Sequence, residues 1–165
     1  MVYLKIRQVN EYDIDGCYRT ESACYTSDGA TREKIQKRIM LFPEGFLVAE
    51  YEGCVIGLIN SASTDTEDIT DEELKDMIGH VKKGRNMVIF SLAVLPEFQG
   101  NGISRKLMDS FIEASKNLKK EKILLLCKTE LIPYYQKCGF LYGRKSRSKH
   151  GGFEWHEMYL PLNHE

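Results

Sequence analysis

The most constraining feature of the sequence is a strand, a glycine-containing turn and a helix that follow one another between Met87 and Ala114. The segment from Met87 to Val94, MVIFSLAV, is almost entirely apolar and rich in β-branched and aromatic residues. Such a run is typical of a central strand that is covered on both faces. From Gly102 onward the apolar residues return to helical spacing, and basic residues in NLKKEK mark the helix end.

The remaining segments alternate between strand and helix patterns. Tyr3 to Val9 alternates as a half-buried strand does, and two short helices follow it, the second with Thr31 as its predicted N-cap. Two β-rich runs joined by Glu52 and Gly53 predict a hairpin. ILLLC predicts a buried strand, ELIPYYQKCGF a short helix, and the C-terminal stretch two more strands.

These elements combine hairpins with strand-helix-strand crossovers. We therefore predict an α/β (α+β) fold in one domain over residues 1–165. Its sheet should be mixed and mostly antiparallel, with about seven strands and about four flanking helices.

Composition limits the partners and the compartment. The net charge is -1 and the isoelectric point is near 6.4, so the chain as a whole attracts neither nucleic acid nor an anionic membrane. No apolar run approaches the roughly 18 residues that cross a bilayer, and the first residues do not resemble a signal peptide. We expect a cytoplasmic protein whose five cysteines, which form no Cys-x-x-Cys pair, are reduced.

The stretch from Asp65 to Asp76 is the most polar part of the chain, with seven acids and one lysine. This composition predicts a long surface loop, and the pattern from Asp71 to Ile78 is compatible with a short helix within it. A loop of this length is often functional, but a merely solvated acidic face is the other interpretation.

The glycine turn is a candidate anion site. Gly100 and Gly102 lack the Cβ atoms that would keep a phosphate away from the backbone, and the following helix starts with unpaired N–H groups. The turn lacks the third glycine of a dinucleotide fingerprint and the Gly-Lys-Ser/Thr of a P-loop. Taken alone, QGNG is also compatible with a turn that binds nothing.

A longer context is more specific. LAVLPEFQGNGIS resembles the coenzyme A motif Gln/Arg-x-x-Gly-x-Gly/Ala of the GNAT superfamily of acyl-CoA-dependent N-acetyltransferases, with Ser104 in the last place. LLLCKTELIPYYQKCGF resembles the second signature of that superfamily, a strand followed by Tyr-x-x-x-Gly-Phe. Within the superfamily the likeness is greatest to the arylalkylamine (serotonin) N-acetyltransferases, and it covers roughly Glu21 to Leu162.

The resemblance implies roles for particular residues. It implies that the backbone of Leu92, Ala93 and Val94 pairs with the pantetheine arm of the coenzyme. It also implies that the turn binds the pyrophosphate; the turn residues are Gln99, Gly100, Asn101, Gly102, Ile103, Ser104 and Arg105. Tyr135 lies beside the coenzyme sulfur as its proton donor, whereas its neighbour Tyr134 is expected only to pack. Leu92 and Leu126 contact the amine.

The catalytic base is not assigned by the resemblance. Vertebrate-type members carry two histidines where this chain has Val88 and Phe90. Ser91, Glu130 and His80 are the remaining candidates, and each is also explained as a structural or solvated residue.

The leading hypothesis is transfer of the acetyl group of acetyl-CoA to a small arylalkylamine-like primary amine, by direct attack in a ternary complex. The acidic loop would attract the cationic amine. The alternatives are acetylation of a polyamine, a protein N-terminus or a lysine, and an acyl-CoA sensor without turnover. No metal is expected, because His150, His156 and His164 do not form a convincing ligand set. The identity of the amine and the oligomeric state are not predicted.

Overall fold

The computed structural model describes residues 3–70 and 72–163. Seven strands form one sheet in the order β1-β2-β3-β4-β5-β7-β6. The strands are β1 (Leu4–Gln8), β2 (Leu47–Tyr51), β3 (Cys54–Thr64), β4 (Asn86–Val94), β5 (Lys122–Lys128), β6 (Leu141–Lys145) and β7 (Trp155–Pro161). The helices are α1 (Ile14–Cys24), α2 (Arg32–Leu41), α3 (Ile103–Asn117) and α4 (Ile132–Lys137). The predicted fold class is confirmed.

Local sequence explains several boundaries. The Thr31 hydroxyl accepts a hydrogen bond from the Lys34 amide at 3.2 Å, which confirms the predicted N-cap of α2. The β2–β3 hairpin turns at Glu52 and Gly53, and both residues have positive φ. After α4, Gly139 has a φ of +100°, as expected for a residue that ends a helix.

Two apolar clusters cover the sheet. One joins α1 and α2 to β2 and β3 through fully buried residues such as Cys17, Ile35 and Leu58. The other contains the apolar stripe of α3, including Leu107, Met108 and Phe111, of which none is exposed. The helix spacing that predicted α3 is therefore the spacing of core contacts.

A gap opens in the middle of the sheet. Among the strand pairs of the described residues, only β4 and β5 run parallel, and their pairing ends at Ile89 and Leu125. On the other side of β4, the register with β3 shifts so that Asn60 faces Ser91 and Ser61 faces Ile89, which leaves Phe90 as a bulge. A bulge bends its strand and redirects side chains, and here it lies where the two parallel strands separate.

The structure changes one predicted element. The helix expected from Asp71 to Ile78 is a 3₁₀ turn at Glu72–Asp76, and Asp71 lies outside the described residues. All five cysteines are free, as predicted. Within the described ranges, none of the helices combines the length and the apolar character that crossing a bilayer requires.

Candidate active site

The turn before α3 has the backbone of an anion cradle. Gly100 and Gly102 have φ values of +83° and +76°, and a Cβ atom added at either position would meet no atom within 4 Å. Gly102 is the N-cap of α3, and no side chain caps this helix. The turn therefore has open space around both glycines, in a conformation that glycine adopts easily, and the first-turn N–H groups of α3 have no capping side chain.

Side chains hold this turn in place. The Gln99 amide nitrogen donates to the Val94 carbonyl at 2.9 Å, and Asn101 donates to the Phe98 carbonyl at 3.0 Å. Arg105 donates to Asp109 and to the Lys137 carbonyl at the end of α4, and the Ile103 side chain is buried in the core. These four residues shape the cradle, so their backbone, rather than their side chains, is available to a phosphate.

Tyr134 corrects one expectation. It was predicted only to pack on its helix, yet its hydroxyl lies 2.7 Å from the Ser104 hydroxyl in the first turn of α3. A tyrosine ring on α4 reaches this far because the two helices meet at the turn. Tyr134 therefore contributes to the position of the predicted phosphate site.

Beyond Ile89, the edge of β4 that faces β5 has no neighbouring strand in the described structure. Leu92, Ala93 and Val94 lie on this stretch. The Leu92 carbonyl accepts a hydrogen bond from the Tyr25 hydroxyl at 2.8 Å. An extended ligand running from the cradle could pair with this edge as an additional strand would, which is the arrangement that the resemblance implies for the pantetheine arm.

A cavity of about 90 Å³ occupies the gap between β4 and β5. Its walls come from both strands, from α1, α2 and α4, and from the loops before β4 and β7. Its lining includes the apolar side chains of Ile69, Leu74, Phe90, Leu92, Leu126 and Trp155. Small-molecule sites are commonly concave and apolar with a few polar groups, and this cavity has that character.

Tyr135 lines the cavity, while the preceding tyrosine contacts the turn. The two rings meet edge to face, with their centroids 5.2 Å apart. Burial raises the pKa of the Tyr135 hydroxyl well above its usual range, so this group stays protonated. Among the described residues, burial and neighbouring titratable groups, not a hydrogen bond, account for this shift.

Other predicted substrate positions also meet at the cavity. Leu92 and Leu126 both line it, and their contact with the amine, which the resemblance implies, stays a prediction. Val88 and Phe90, at the positions of the family histidines, line it too, and the Arg38 guanidinium lies 4.5 Å from the centroid of the Phe90 ring. These two positions are in the site but carry no proton-transfer group.

The three candidate bases separate in the structure. Ser91 lines the cavity. Glu130 is exposed on a 3₁₀ turn after β5 and does not line it. His80 accepts a hydrogen bond from the Ser63 amide at 3.0 Å and stacks on Phe42, so it is a structural residue outside the cavity.

Glu21 is the site residue that sequence reasoning missed. It lies on α1 with only 2% of its surface exposed, and it lines the cavity. Its Oε2 accepts hydrogen bonds from the Ser91 hydroxyl at 3.0 Å and the Ala30 amide at 2.9 Å, whereas Oε1 has no partner. Burial raises the pKa of this carboxyl. The sequence offered one indication: Glu21 lies four residues after the apolar Cys17, and residues four apart share a face of a helix.

Most carboxylates of the acidic loop that the structure describes lie in ion pairs. Four carboxylates pair with basic residues outside the loop, in the pairs Asp65–Arg85, Glu67–Lys122, Asp68–Arg147 and Asp76–Lys34, and Glu72 pairs with Lys75 of the loop itself. The loop contributes Ile69, Leu74 and Lys75 to the cavity wall. It therefore forms part of the cavity wall, and the attraction of a cationic amine by this loop stays a prediction.

Potential metal ligands do not gather at one place in the described part of the chain. In residues 3–70 and 72–163, no three His, Cys, Asp or Glu side chains cluster in a way that could hold a metal ion. His156 is hydrogen-bonded to Thr129 and Tyr142, each at 2.9 Å, and His164 lies outside the described residues.

The fold and the site combine an open glycine turn at the start of a helix with a neighbouring, mostly apolar cavity. The model of the acetyltransferase (GNAT) family matches residues 14–140. The chain belongs to this family.

Two curated relatives come from Bacillus subtilis (strain 168). One is called "Probable hydrolase YhcX"; it is 29% identical over 130 residues, which cover 73% of this chain and 25% of that protein. The other is called "Uncharacterized N-acetyltransferase YkwB"; it is 26% identical over 133 residues, which cover 73% of this chain and 59% of that protein. The chain thus matches only part of the length of each.

Solved structures share the fold. The loading GNATL domain of CurA from Lyngbya majuscula superposes with a TM-score of 0.87 and 17% identity, over 99% of this chain and 100% of that one. The GNAT-like decarboxylase GphF, in complex with isobutyryl-CoA, gives a TM-score of 0.82 and 14% identity, over 96% of this chain and 100% of that one. At these identities the likeness concerns the fold.

Proposed function

We propose that the chain transfers the acetyl group of acetyl-CoA to a small primary amine with an aromatic or other apolar body, in a ternary complex. The observation that carries the proposal is the position of α4. Its Tyr134 contacts Ser104 in the first turn of α3, and its Tyr135 lines the cavity. A coenzyme with its pyrophosphate on the turn and its arm along β4 would bring its sulfur to Tyr135.

Acetyl-CoA is the co-substrate, and the cradle suits its pyrophosphate. The first-turn N–H groups of α3 supply hydrogen bonds and a positive helix dipole. Gly100 and Gly102 leave room for close approach of the phosphate oxygens. A related fold, GphF, is known as a complex with an acyl-CoA.

The proposed reaction needs two proton positions. The amine nitrogen forms a bond to the acetyl carbon while the carbon–sulfur bond breaks. The proton lost by the amine goes to Glu21, and the departing thiolate takes the proton of the Tyr135 hydroxyl. Exchange with solvent then returns Glu21 and Tyr135 to their starting states.

Glu21 replaces the absent histidines as the proposed base. It is ionisable, it lines the cavity, and the Ser91 hydroxyl holds one of its oxygens. Its raised pKa makes it a stronger base than an exposed glutamate once it is ionised. This assignment also gives Ser91 a role, as a positioning residue for Glu21.

The apolar wall favours an acceptor with a hydrophobic body over a polyamine. Leu92 and Leu126 lie on either side of the gap, with Trp155 elsewhere in the lining. An amine with an aromatic or branched aliphatic body would cover these side chains, whereas spermidine would leave charge against them.

The test is an assay of free thiol release with acetyl-CoA and a panel of acceptors. The panel contains phenylethylamine, tryptamine, phenylalanine, leucine, spermidine and a lysine peptide. We expect the apolar primary amines to have higher kcat/KM values than spermidine and the peptide. A preference for spermidine or the peptide would refute the proposed acceptor class, and coenzyme binding without turnover of any acceptor would indicate a sensor.

A further inference from the structure

Arg38 is an unusual group to find in an apolar cavity. It lies on α2, only 2% of its surface is exposed, and it lines the cavity. Three lysines that also line the cavity pair with carboxylates: Lys34 with Asp76, Lys75 with Glu72, and Lys128 with Asp28. Arg38, by contrast, forms no ion pair with a carboxylate among the described residues.

The hydrogen bonds of Arg38 are few and long. One Nη donates to the Asn60 side-chain oxygen at 3.4 Å and the other to the Lys75 carbonyl at 3.3 Å. Nε has no partner, and neither does the side-chain nitrogen of Asn60. A guanidinium carries five N–H donors, and buried donors of native proteins are normally satisfied. This group is therefore poorly satisfied by the protein itself.

The same cavity holds a matching deficit of the opposite sign. Glu21 has one oxygen without a partner, and it is not within ion-pair distance of Arg38 in the described structure. Burial opposes both charges: it raises the pKa of Glu21 and lowers that of Arg38 to about 10, and the attraction between the two groups offsets only part of each shift. An occupant with an amine at one end and an anion at the other would complement both groups.

We propose that the acceptor is an amino acid with an apolar side chain, whose carboxylate binds Arg38 and whose amino group lies at Glu21. This inference rests on the proposed function and narrows its substrate class. Arg38 suits a carboxylate because a planar guanidinium donates two parallel hydrogen bonds to it. Asn60 accepts from one Nη and so holds the guanidinium in position from outside the cavity.

Matched substrate pairs test the proposal. Each amino acid is compared with the amine that lacks only its carboxylate: leucine with 3-methylbutylamine, phenylalanine with phenylethylamine, and tryptophan with tryptamine. We expect kcat/KM to be about 10- to 100-fold higher for the amino acid in at least one pair, the range for a hydrogen bond to a charged group. Equal or higher values for the amine in every pair would overturn the proposal but leave the proposed function intact.

Variants locate the effect. Arg38→Gln should lower kcat/KM far more for the amino acid than for its amine, so that the ratio between them approaches one. Lys34→Gln removes a positive charge from the same cavity, but from a residue already paired with Asp76, and should leave the ratio unchanged. Loss of the ratio in both variants, or in neither, would contradict the role of Arg38.

A wild-type measurement covers the case in which Arg38→Gln does not fold. Carboxylates without an amine, such as 4-methylpentanoate and 3-phenylpropanoate, should inhibit competitively against the amine acceptor. The corresponding uncharged amides should inhibit at least tenfold more weakly. Equal inhibition by acid and amide would show that the cavity does not recognise the anion.

Discussion

Glu21 is an ionisable group that burial makes harder to charge. Because its folded-state pKa is raised, the folded protein holds this proton more tightly than the unfolded chain does. Its contribution to stability is present at low pH and is lost as the pH rises through the folded-state pKa. At pH 8, Glu21→Gln should therefore unfold at a temperature no lower than the wild type.

The same substitution should reduce activity strongly. We expect kcat/KM of Glu21→Gln to fall by about 10² to 10⁴, the usual contribution of a general base. The wild-type rate should rise with pH through a pKa above the ordinary glutamate range, and this limb should be absent in the variant. A folded Glu21→Gln enzyme with nearly full activity would assign Glu21 to structure alone.

Tyr135→Phe tests the proton donor with the ring kept in place. We expect kcat to fall by about 10² to 10⁴ while the Kd of the coenzyme changes little. The Tyr135 pKa is raised well above its usual range, so the wild-type rate should not fall through ionisation of this group below pH 10. An unchanged kcat, measured where chemistry limits the rate, would return Tyr135 to a packing role.

Tyr134→Phe is the matched control. It removes a hydroxyl from the adjacent ring, but one that contacts Ser104 at the turn rather than the cavity. We expect kcat within a few fold of the wild type and a moderate rise in the KM of acetyl-CoA. The opposite pattern, a loss confined to kcat, would exchange the roles of the two tyrosines.

At the scale of single residues, sequence reasoning succeeded where a local motif existed. Tyr135 and the turn glycines stand in motifs; the structure places Tyr135 in the cavity wall and gives the glycines positive φ, and their roles toward the coenzyme stay predictions. Glu21 and Arg38 belong to no motif. Their importance arises from burial against strands that are distant in the sequence, which helix spacing alone does not show.

Among the structural elements, the turn before α3 is the one whose substitution bears most directly on coenzyme affinity. Gly102→Ala places a Cβ where the structure leaves open space, and it forces a left-handed backbone on alanine at a cost of roughly 1 to 2 kcal/mol. We expect the Kd of coenzyme A to rise at least tenfold in isothermal titration. The backbone cost alone should lower Tm by only a few degrees.

Gly79→Ala separates strain from lost binding. Gly79 has a φ of +91° and equally open surroundings, but it follows the 3₁₀ turn of the acidic loop. Its substitution should cost similar stability while the Kd of the coenzyme stays unchanged. If both variants lost coenzyme affinity equally, the turn before α3 would not be the phosphate site.

The elements themselves were largely predictable, and their arrangement was not. Hydrophobic period and turn residues marked the strands and helices with small errors at their ends. The gap between β4 and β5 depends on where pairing ends and on the bulge at Phe90. Both result from contacts between distant segments, so no short stretch of sequence specifies them.

In the molecule as a whole, the wall of the cavity is held by contacts between loops that are distant in the sequence. Asp28, in the loop after α1, pairs with Lys128 at the end of β5 and accepts from His150 through its carbonyl. His150 in turn pairs with Glu72 of the acidic loop. Charged residues of the acidic loop thus help to hold the wall of the cavity. The sequence pattern did not indicate this role.

Because the coenzyme would contact α3, β4 and α4 together, it should bind the folded protein and not the unfolded chain. At 100 times its Kd, acetyl-CoA should then stabilise the fold by about 2.7 kcal/mol. For a chain of this length, that corresponds to a rise in Tm of roughly 5 to 10 °C, measurable by differential scanning fluorimetry. Pantetheine, which lacks the pyrophosphate, should give a much smaller shift at the same concentration, and so should acetyl-CoA with Gly102→Ala. Absence of any shift with millimolar acetyl-CoA would refute the coenzyme site, whereas equal shifts with pantetheine would move recognition from the turn to the edge of β4.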